Sequence, residues 1–169
     1  MPSERILLPA TLSFMAISLG SAYLLNMLPW GHYLGVPNWF AIVLLFWSIH
    51  EPRRISMGIA FILGIILDVH EGNLLGEHAL VYIVLSYLGN TLQRRIIQYP
   101  LWLQPIFIFP ILFLSQLTAT IMQLLTKQHG QDWLYLSSSL IGAIIWPAAS
   151  ALLSIHLKRI VDADDIRPI

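Results

Sequence analysis

Residues 37–69 read PNWFAIVLLFWSIHEPRRISMGIAFILGIILDV. Two apolar runs, 37–49 and 55–69, flank a short polar break that contains Arg53 and Arg54. Apolar runs of this kind predict helices, and a break with a proline predicts the turn between them. The rest of the chain repeats this alternation of apolar run and polar break, so the sequence predicts an all-α fold.

The composition indicates a membrane protein. The chain is 57% hydrophobic and 11% charged, whereas an average soluble domain is about 45–50% apolar and about 25% charged. The excess apolar surface is expected to face lipid. The formal net charge is zero and the chain has no cysteine. Nucleic acid is therefore not an expected partner, and disulfides, thiolate metal sites and cysteine nucleophiles are excluded.

The apolar runs predict a polytopic helix bundle, a single integral membrane domain over residues 1–169. A membrane-spanning helix needs about 20 apolar residues. The six predicted spans are 6–28, 37–49, 55–69, 74–92, 101–126 and 134–157. The second and third spans are short, because 13–15 residues reach only about 20–22 Å. Four crossings plus one re-entrant helical pair are therefore the alternative to six.

The distribution of basic residues predicts the orientation of the chain. Lys and Arg near span ends stay on the cytoplasmic side of a membrane. In this chain the Lys and Arg residues fall in every second polar break between the spans, and Lys127 is the one exception. An even number of crossings with both termini in the cytoplasm follows. The residues in every second break are Arg5, Arg53, Arg54, Arg94, Arg95, Lys158, Arg159 and Arg167.

Two predicted spans have polar side chains at helical spacing, so each forms a polar face. Small and polar residues at such positions hold membrane helices together. Packing within the bundle is one interpretation, and a ligand cavity or a docking face for another protein is the other. In the fourth span the face consists of Tyr82, Ser86 and Asn90, and in the fifth of Gln116, Thr120 and Gln123.

Asp68 stands against an apolar helix at its predicted outer end. One interpretation is that its carboxylate caps the next helix or turn by accepting N–H bonds near residues 73–76. The other is a contact with a partner or ligand, because charges within membrane spans are often functional. The neighbouring histidines, His70 and His78, do not have the spacing of a zinc protease motif. No nucleophile motif or phosphate-binding loop occurs, so no enzyme activity, metal or cofactor is expected.

An ordered motif in the stretch 37–80 begins with Pro-Asn-Trp and continues through Leu-Asp to Gly-x-x-Leu-Gly. With this motif, the stretch resembles the MreD family of bacterial rod shape-determining membrane proteins. Near the C-terminus, Leu140, Gly142, Trp146 and Pro147 extend the resemblance more weakly. Residues of this motif are the candidate partner-binding positions: Pro37, Asn38, Trp39, Pro52, Arg54, Gly58, Gly64, Asp68, Gly72, Leu75 and Gly76.

The resemblance implies a location, a set of partners and a fold. Proteins of this family act in the bacterial cytoplasmic (inner) membrane with MreC, a single-span protein that has a large periplasmic domain. They belong to the peptidoglycan elongation machinery with MreB, RodZ, RodA and its partner transpeptidase, and they have no known catalytic activity. Their fold is thought similar to the six-helix substrate-binding components of vitamin uptake transporters.

The leading hypothesis is therefore a non-enzymatic scaffold that binds an MreC-like partner, with the outer loop 68–77 meeting its periplasmic part. A homodimer within a larger complex is compatible with it, and membrane lipid is a further expected partner. The alternative is a small-molecule-binding component of an uptake transporter. A third hypothesis, an intramembrane enzyme, would require a metal or an acid–base pair.

Overall fold

All regular elements in the computed structural model are α-helices over the residues it describes, 11–28, 36–72, 75–125 and 137–155. The all-α prediction is thus confirmed for this part of the chain, and the helices follow the predicted runs in order. They are α1 (Leu12–Met27), α2 (Trp39–His50), α3 (Met57–Glu71), α4 (Glu77–Gln98), α5 (Pro105–Leu125) and α6 (Ser137–Ser154).

Helix α4 is longer than its predicted span, which stopped at residue 92. It continues through Arg94 and Arg95 to Gln98, because arginine is a good helix former and charge alone does not end a helix. Tyr99 leaves the helical conformation, with φ −90° and ψ 147°. The following Pro100 explains this, since a proline disfavours helical backbone in the residue before it.

Four helices form a ring, and the other two pack outside it. Helix α2 contacts α1, α4 and α6, while α4 contacts α2, α3 and α5, and α5 contacts α6. The ring is therefore α2–α4–α5–α6. Helix α1 packs on the outside of α2, and α3 packs on the outside of α4.

Helix α2 is buried between α1, α4 and α6, and this explains its composition. Leu44, Leu45, Phe46 and Trp47 are all fully buried. A helix that is apolar on every side is normally buried on every side, which is what the ring and α1 achieve. Because neighbouring helices cover most of its surface, the short length of α2, 12 residues, is compatible with a position inside the bundle.

Side-chain hydrogen bonds tie α1 to α2 at both ends. Trp47 Nε1 donates to Ser18 Oγ at 2.8 Å, and Asn26 Nδ2 donates to Asn38 Oδ1 at 2.9 Å. Because Ser18 precedes Asn26 while Trp47 follows Asn38, the two helices run antiparallel. Buried polar groups in such a bundle are expected to be paired in this way.

Two helices in the described ranges, α5 and α6, are long and apolar enough to cross a membrane by length and composition, with mean hydropathies of 1.8 and 1.4. Helices α1 and α2 are apolar but shorter. Six crossings with both termini inside therefore stay a prediction. Part of its basis lies outside the described residues, namely Arg5, Lys127, Lys158, Arg159 and Arg167.

Candidate functional site

The corner where α3 ends and α4 begins is organised around Asp68, whose side chain is fully buried. Its Oδ2 accepts the N–H of Gly76 at 2.8 Å, and its Oδ1 accepts the N–H of His78 at 2.9 Å. Both donors lie at the N-terminus of α4, where backbone N–H groups have no partner within the helix. Asp68 therefore caps α4, as the capping interpretation predicted.

His78 extends this network to a second carboxylate. Its Nδ1 lies 2.9 Å from Asp68 Oδ1, and because a carboxylate only accepts, this nitrogen is the one assigned the proton. Its Nε2 lies 3.6 Å from Glu71 Oε2, which makes an ion pair when the imidazole is charged. The last turn of α3 and the first turn of α4 are thus joined through one histidine.

Two glycines of the family motif shape the connection between these helices. Gly72 ends α3 with φ +69°, and Gly76 precedes α4 with φ +108°. Both values lie in the left-handed region, where a side chain other than glycine is strained. Gly72 therefore ends α3, and both glycines are required by the backbone of the corner.

Gly64 brings α3 directly against α4. A Cβ at this position would lie 2.3 Å from Ala79 Cα and 2.5 Å from Ala79 N, and these are backbone atoms with no freedom to move aside. Ala60, one turn earlier on α3, is also fully buried. The small-xxx-small pair is therefore a close helix contact of the kind that stabilises membrane bundles.

The Pro-Asn-Trp motif forms the start of α2. Asn38 is the N-cap, and its Oδ1 accepts the N–H of Ala41 at 2.9 Å. Pro37 is buried, and a Cβ added to Gly142 on α6 would lie 3.7 Å from Pro37 Cβ. The backbone N–H of Trp39 donates to Asn26 Oδ1 at 3.0 Å. The motif therefore fixes where α1, α2 and α6 meet.

The remaining motif residues lie nearer the surface. Pro52 is in the turn between α2 and α3, where Arg54 Nε lies 3.9 Å from Glu51 Oε2. Gly58 is exposed, and a Cβ there would meet only Ser56 Oγ, at 3.7 Å. Leu75, at the outer corner, is 69% exposed. Packing within the described chain does not require a glycine at 58 or a leucine at 75.

The polar face of α4 turns into the bundle. Tyr82 and Ser86 are fully buried, and the Tyr82 ring packs against Phe40 of α2 with centroids 5.3 Å apart. Asn90 continues the same face and is half-buried. The burial of Tyr82 and Ser86 and the Tyr82–Phe40 contact agree with the interpretation that this face packs within the bundle.

The polar face of α5 reaches two neighbours. Gln116 bonds to the hydroxyls of Ser138 and Ser139 on α6. Gln123 Nε2 donates to Glu77 Oε1 on α4 at 2.7 Å. The Thr120 hydroxyl instead donates to the backbone carbonyl of Gln116 in its own helix, at 3.0 Å. Two of the three predicted positions thus join α5 to other helices.

Sequence reasoning missed Glu77 and His78 as structural partners, and it missed Gln104. Gln104 Oε1 accepts the indole N–H of Trp146 at 2.9 Å. Their side-chain chemistry was the one signal of these contacts, because a buried tryptophan N–H and a buried carboxylate each need a hydrogen-bond partner. Spacing along the chain gave none, because the partners are 42 and 46 residues apart.

The chemistry of the site is that of structural contacts. Across the four described ranges, no group of three or more His, Asp or Glu side chains is arranged to hold a metal ion. Both carboxylate oxygens of Asp68 accept N–H hydrogen bonds, which suits a cap rather than a general base. The contacts of Asp68 and His78 position α3 and α4 relative to each other, and the corner between these helices has an exposed surface.

Comparison with known proteins identifies the family. The family model described as rod shape-determining protein MreD matches residues 4–155. The rod shape-determining protein MreD of Haemophilus influenzae is 28% identical over 138 residues, covering 80% of this chain and 83% of that protein. No solved structure matches this chain. The chain therefore belongs to the MreD family of rod shape-determining proteins.

Proposed function

We propose that this protein is a non-enzymatic scaffold of the cell-wall elongation machinery and binds an MreC-like single-span partner. Membership of the family supports a role in determining rod shape. In this proposal the chain is one integral domain of the inner membrane, with six crossings and both termini in the cytoplasm. Contacts with MreB, RodZ, RodA and its partner transpeptidase would then follow through the assembled complex.

The direction of the helices supports this orientation. Helices α2 and α4 run the same way, because Tyr82 packs against Phe40 and, further along both helices, Gly89 lies against Leu45. Their C-terminal ends therefore lie at one end of the bundle. That end contains four basic residues, as expected for the cytoplasmic side. They are Arg53, Arg54, Arg94 and Arg95.

The observation that carries the proposal is the outward face of α3. Gly58 lies on this face with no close neighbour beyond Ser56, and Ile62 and Ile66 beside it are each 57% exposed. Lipid tails are as apolar as isoleucine, so helices in a membrane associate mainly where small residues let backbones approach. An exposed family-motif glycine that this chain does not use for packing suits the approach of a partner helix.

The outer corner continues the same surface. Leu75, His70 and Glu71 are exposed there, while Asp68 is buried beneath them. In the proposal, the exposed residues meet the periplasmic part of the partner, and Asp68 and Gly72 act indirectly by shaping the loop. Gln116 and Gln123 on α5 bond to α6 and α4, and Tyr82 on α4 packs against Phe40 of α2. These contacts support the bundle interpretation over the transporter alternative.

The test is co-purification from the native membrane. Gly58→Leu should reduce recovery of the single-span partner by at least about tenfold, the equivalent of ~1.4 kcal/mol of binding free energy. Gly20→Leu is the matched control, because Gly20 on α1 is also exposed and has no atom near its missing Cβ. The control should keep both partner recovery and rod shape. Equal partner recovery from the two variants would overturn the proposed docking face.

A further inference from the structure

An apolar groove runs between α4 and α5 and opens to the outside of the bundle. Its volume is about 630 Å³. Large side chains line it, chiefly Val84, Tyr87 and Leu88 on α4 and Leu114 and Leu117 on α5, with Met57 of α3 beside them. Thr118 also lines the groove, but its hydroxyl donates to the backbone carbonyl of Leu114 at 2.9 Å. The groove therefore presents an essentially apolar lining.

The groove leads to two arginines on the same face of α4. Arg94 follows Tyr87 by seven residues, and Arg95 follows Leu88 by seven. Seven residues are two helical turns, which returns the side chain to nearly the same face about 10 Å further along the axis. The apolar lining is thus continued by positive charge at the end of the groove towards the C-terminus of α4.

Both guanidinium groups are available for a ligand. Arg94 and Arg95 are exposed, and neither forms an ion pair with another residue in the described part of the chain. Just beyond them, Tyr99 is 43% and Trp102 is 73% exposed. Exposed tyrosine and tryptophan are typical of the level of the lipid headgroups.

We propose that the groove, together with Arg94 and Arg95, is a binding site for an anionic glycerophospholipid. One acyl chain occupies the groove, and the phosphate accepts hydrogen bonds from the guanidinium groups, which suit phosphate geometry. The inference rests on the proposed orientation, in which this end of the bundle faces the cytoplasmic leaflet, where anionic lipids attract basic residues.

A lipid fits this groove better than a partner helix does. Helix docking in membranes depends on small residues or interhelical hydrogen bonds. The face of α3 has a glycine, Gly58, that no packing contact uses. The groove, by contrast, is lined by large side chains, and the Thr118 hydroxyl is bonded within its own helix. A flexible acyl chain can fill such a space, and its headgroup accounts for the paired charge at the end.

The test uses the purified full chain in phosphatidylcholine vesicles with a minor fraction of phosphatidylglycerol. The chain has no cysteine, so Thr118→Cys gives a single site for a fluorophore in the groove. Ile144→Cys is the control, because Ile144 is 66% exposed on α6. A doxyl group on the acyl chain of one lipid or the other quenches the fluorophore when that lipid is adjacent.

The expected result is selective quenching in the groove. Phosphatidylglycerol should quench the label at position 118 more strongly than phosphatidylcholine does, and the two lipids should quench equally at position 144. Arg94→Gln with Arg95→Gln should lower the selectivity by about fivefold for each arginine, the equivalent of about 1 kcal/mol each. Replacing both by lysine keeps the charge and should preserve most of the selectivity.

Three outcomes would overturn the lipid site. Equal quenching by both lipids at both positions would show an ordinary lipid-facing surface. Shielding of position 118 from both lipids, with normal quenching at 144, would show that a helix fills the groove. Absence of quenching at both position 118 and position 144 would contradict the proposed placement of the bundle in the membrane. The partner test with Gly58→Leu is independent of all three.

Unlabelled protein gives a second measurement. Native mass spectrometry of the detergent-solubilised chain should show retained phosphatidylglycerol, and Leu117→Trp should displace it by filling the groove. Ile144→Trp is the matched control and should retain the lipid. Retention that is the same in both variants would overturn the assignment.

Discussion

The two flanks of α4 are built in opposite ways. Towards α3, Gly64 meets the backbone of Ala79 and the helices touch. Towards α5, large side chains such as Tyr87 and Leu117 line an open groove. Small residues let membrane helices approach backbone to backbone, whereas large side chains leave grooves between them.

Polar contacts, by contrast, are similar on the two flanks. At the N-terminal end of α4, Asp68 caps the helix from α3, and Gln123 on α5 donates to Glu77. Each flank is thus joined by a buried polar contact near the start of α4. Along the rest of the helix, the flank towards α3 has a close backbone contact and the flank towards α5 has a groove. The buried hydrogen bonds determine which helical turns of neighbouring helices lie opposite each other, and the size of the side chains determines how closely the helices approach.

The largest expected effect comes from adding one methyl group to the closed flank. Gly64→Ala should lower the free energy of unfolding by about 3 kcal/mol, the upper end for overpacking, because the new Cβ meets backbone atoms. The measurement is SDS-induced unfolding in mixed micelles, with rod shape scored in cells.

Gly58→Ala is the control for this substitution on the same helix. Gly58 has open space where a Cβ would stand, so alanine should leave stability unchanged or raise it by up to about 1 kcal/mol through helix propensity. Equal destabilisation by the two substitutions would contradict the close contact at Gly64.

Asp68→Asn should have the next largest effect, a loss of about 2 kcal/mol in unfolding free energy. An amide has one carbonyl oxygen and no charge, so it cannot accept all three contacts that Asp68 makes with Gly76 and His78. The same unfolding measurement applies. Glu71→Gln is the control, since this carboxylate lies further from His78, at 3.6 Å, and is partly exposed. A loss as large for Glu71→Gln would argue against the cap as the main contribution.

Gln123→Leu tests the outer contact of the open flank and should cost about 1 kcal/mol, since interhelical hydrogen bonds in membranes are modest and one to a carboxylate is somewhat stronger. Thr120→Val is the matched control, because the Thr120 hydroxyl bonds to its own helix and should be nearly neutral. If the control lost as much stability as Gln123→Leu, the interhelical bond would not explain the effect.

Thr118→Leu should have the smallest effect, within about 0.5 kcal/mol of the unchanged protein, because the added carbons enter an open groove. It is the direct counterpart of Gly64→Ala, since both add volume beside α4. Unfolding free energies for the pair measure the difference between the flanks, and a large loss for Thr118→Leu would mean that the groove is closed.

Parts of the site were predictable from the sequence and others were not. The cap at Asp68 followed from a carboxylate near a helix end with a turn after it, and the helix stop followed from Gly72. The sequence did not separate Gly64 from Gly58, although only Gly64 touches another helix. Nor did it pair Gln123 with Glu77, because residues 46 apart carry no local signal of contact.

The sequence by itself determined the order of the six helices that the structure describes and the family of the protein. These depend on run length, turn residues and motifs, which are local along the chain. Only the tertiary structure decided that α2 is buried between α1, α4 and α6, that the stripes of α4 and α5 face the bundle, and that a groove leads to Arg94 and Arg95. Those features depend on which helix faces meet, and this is settled by side-chain size and by the pairing of buried polar groups.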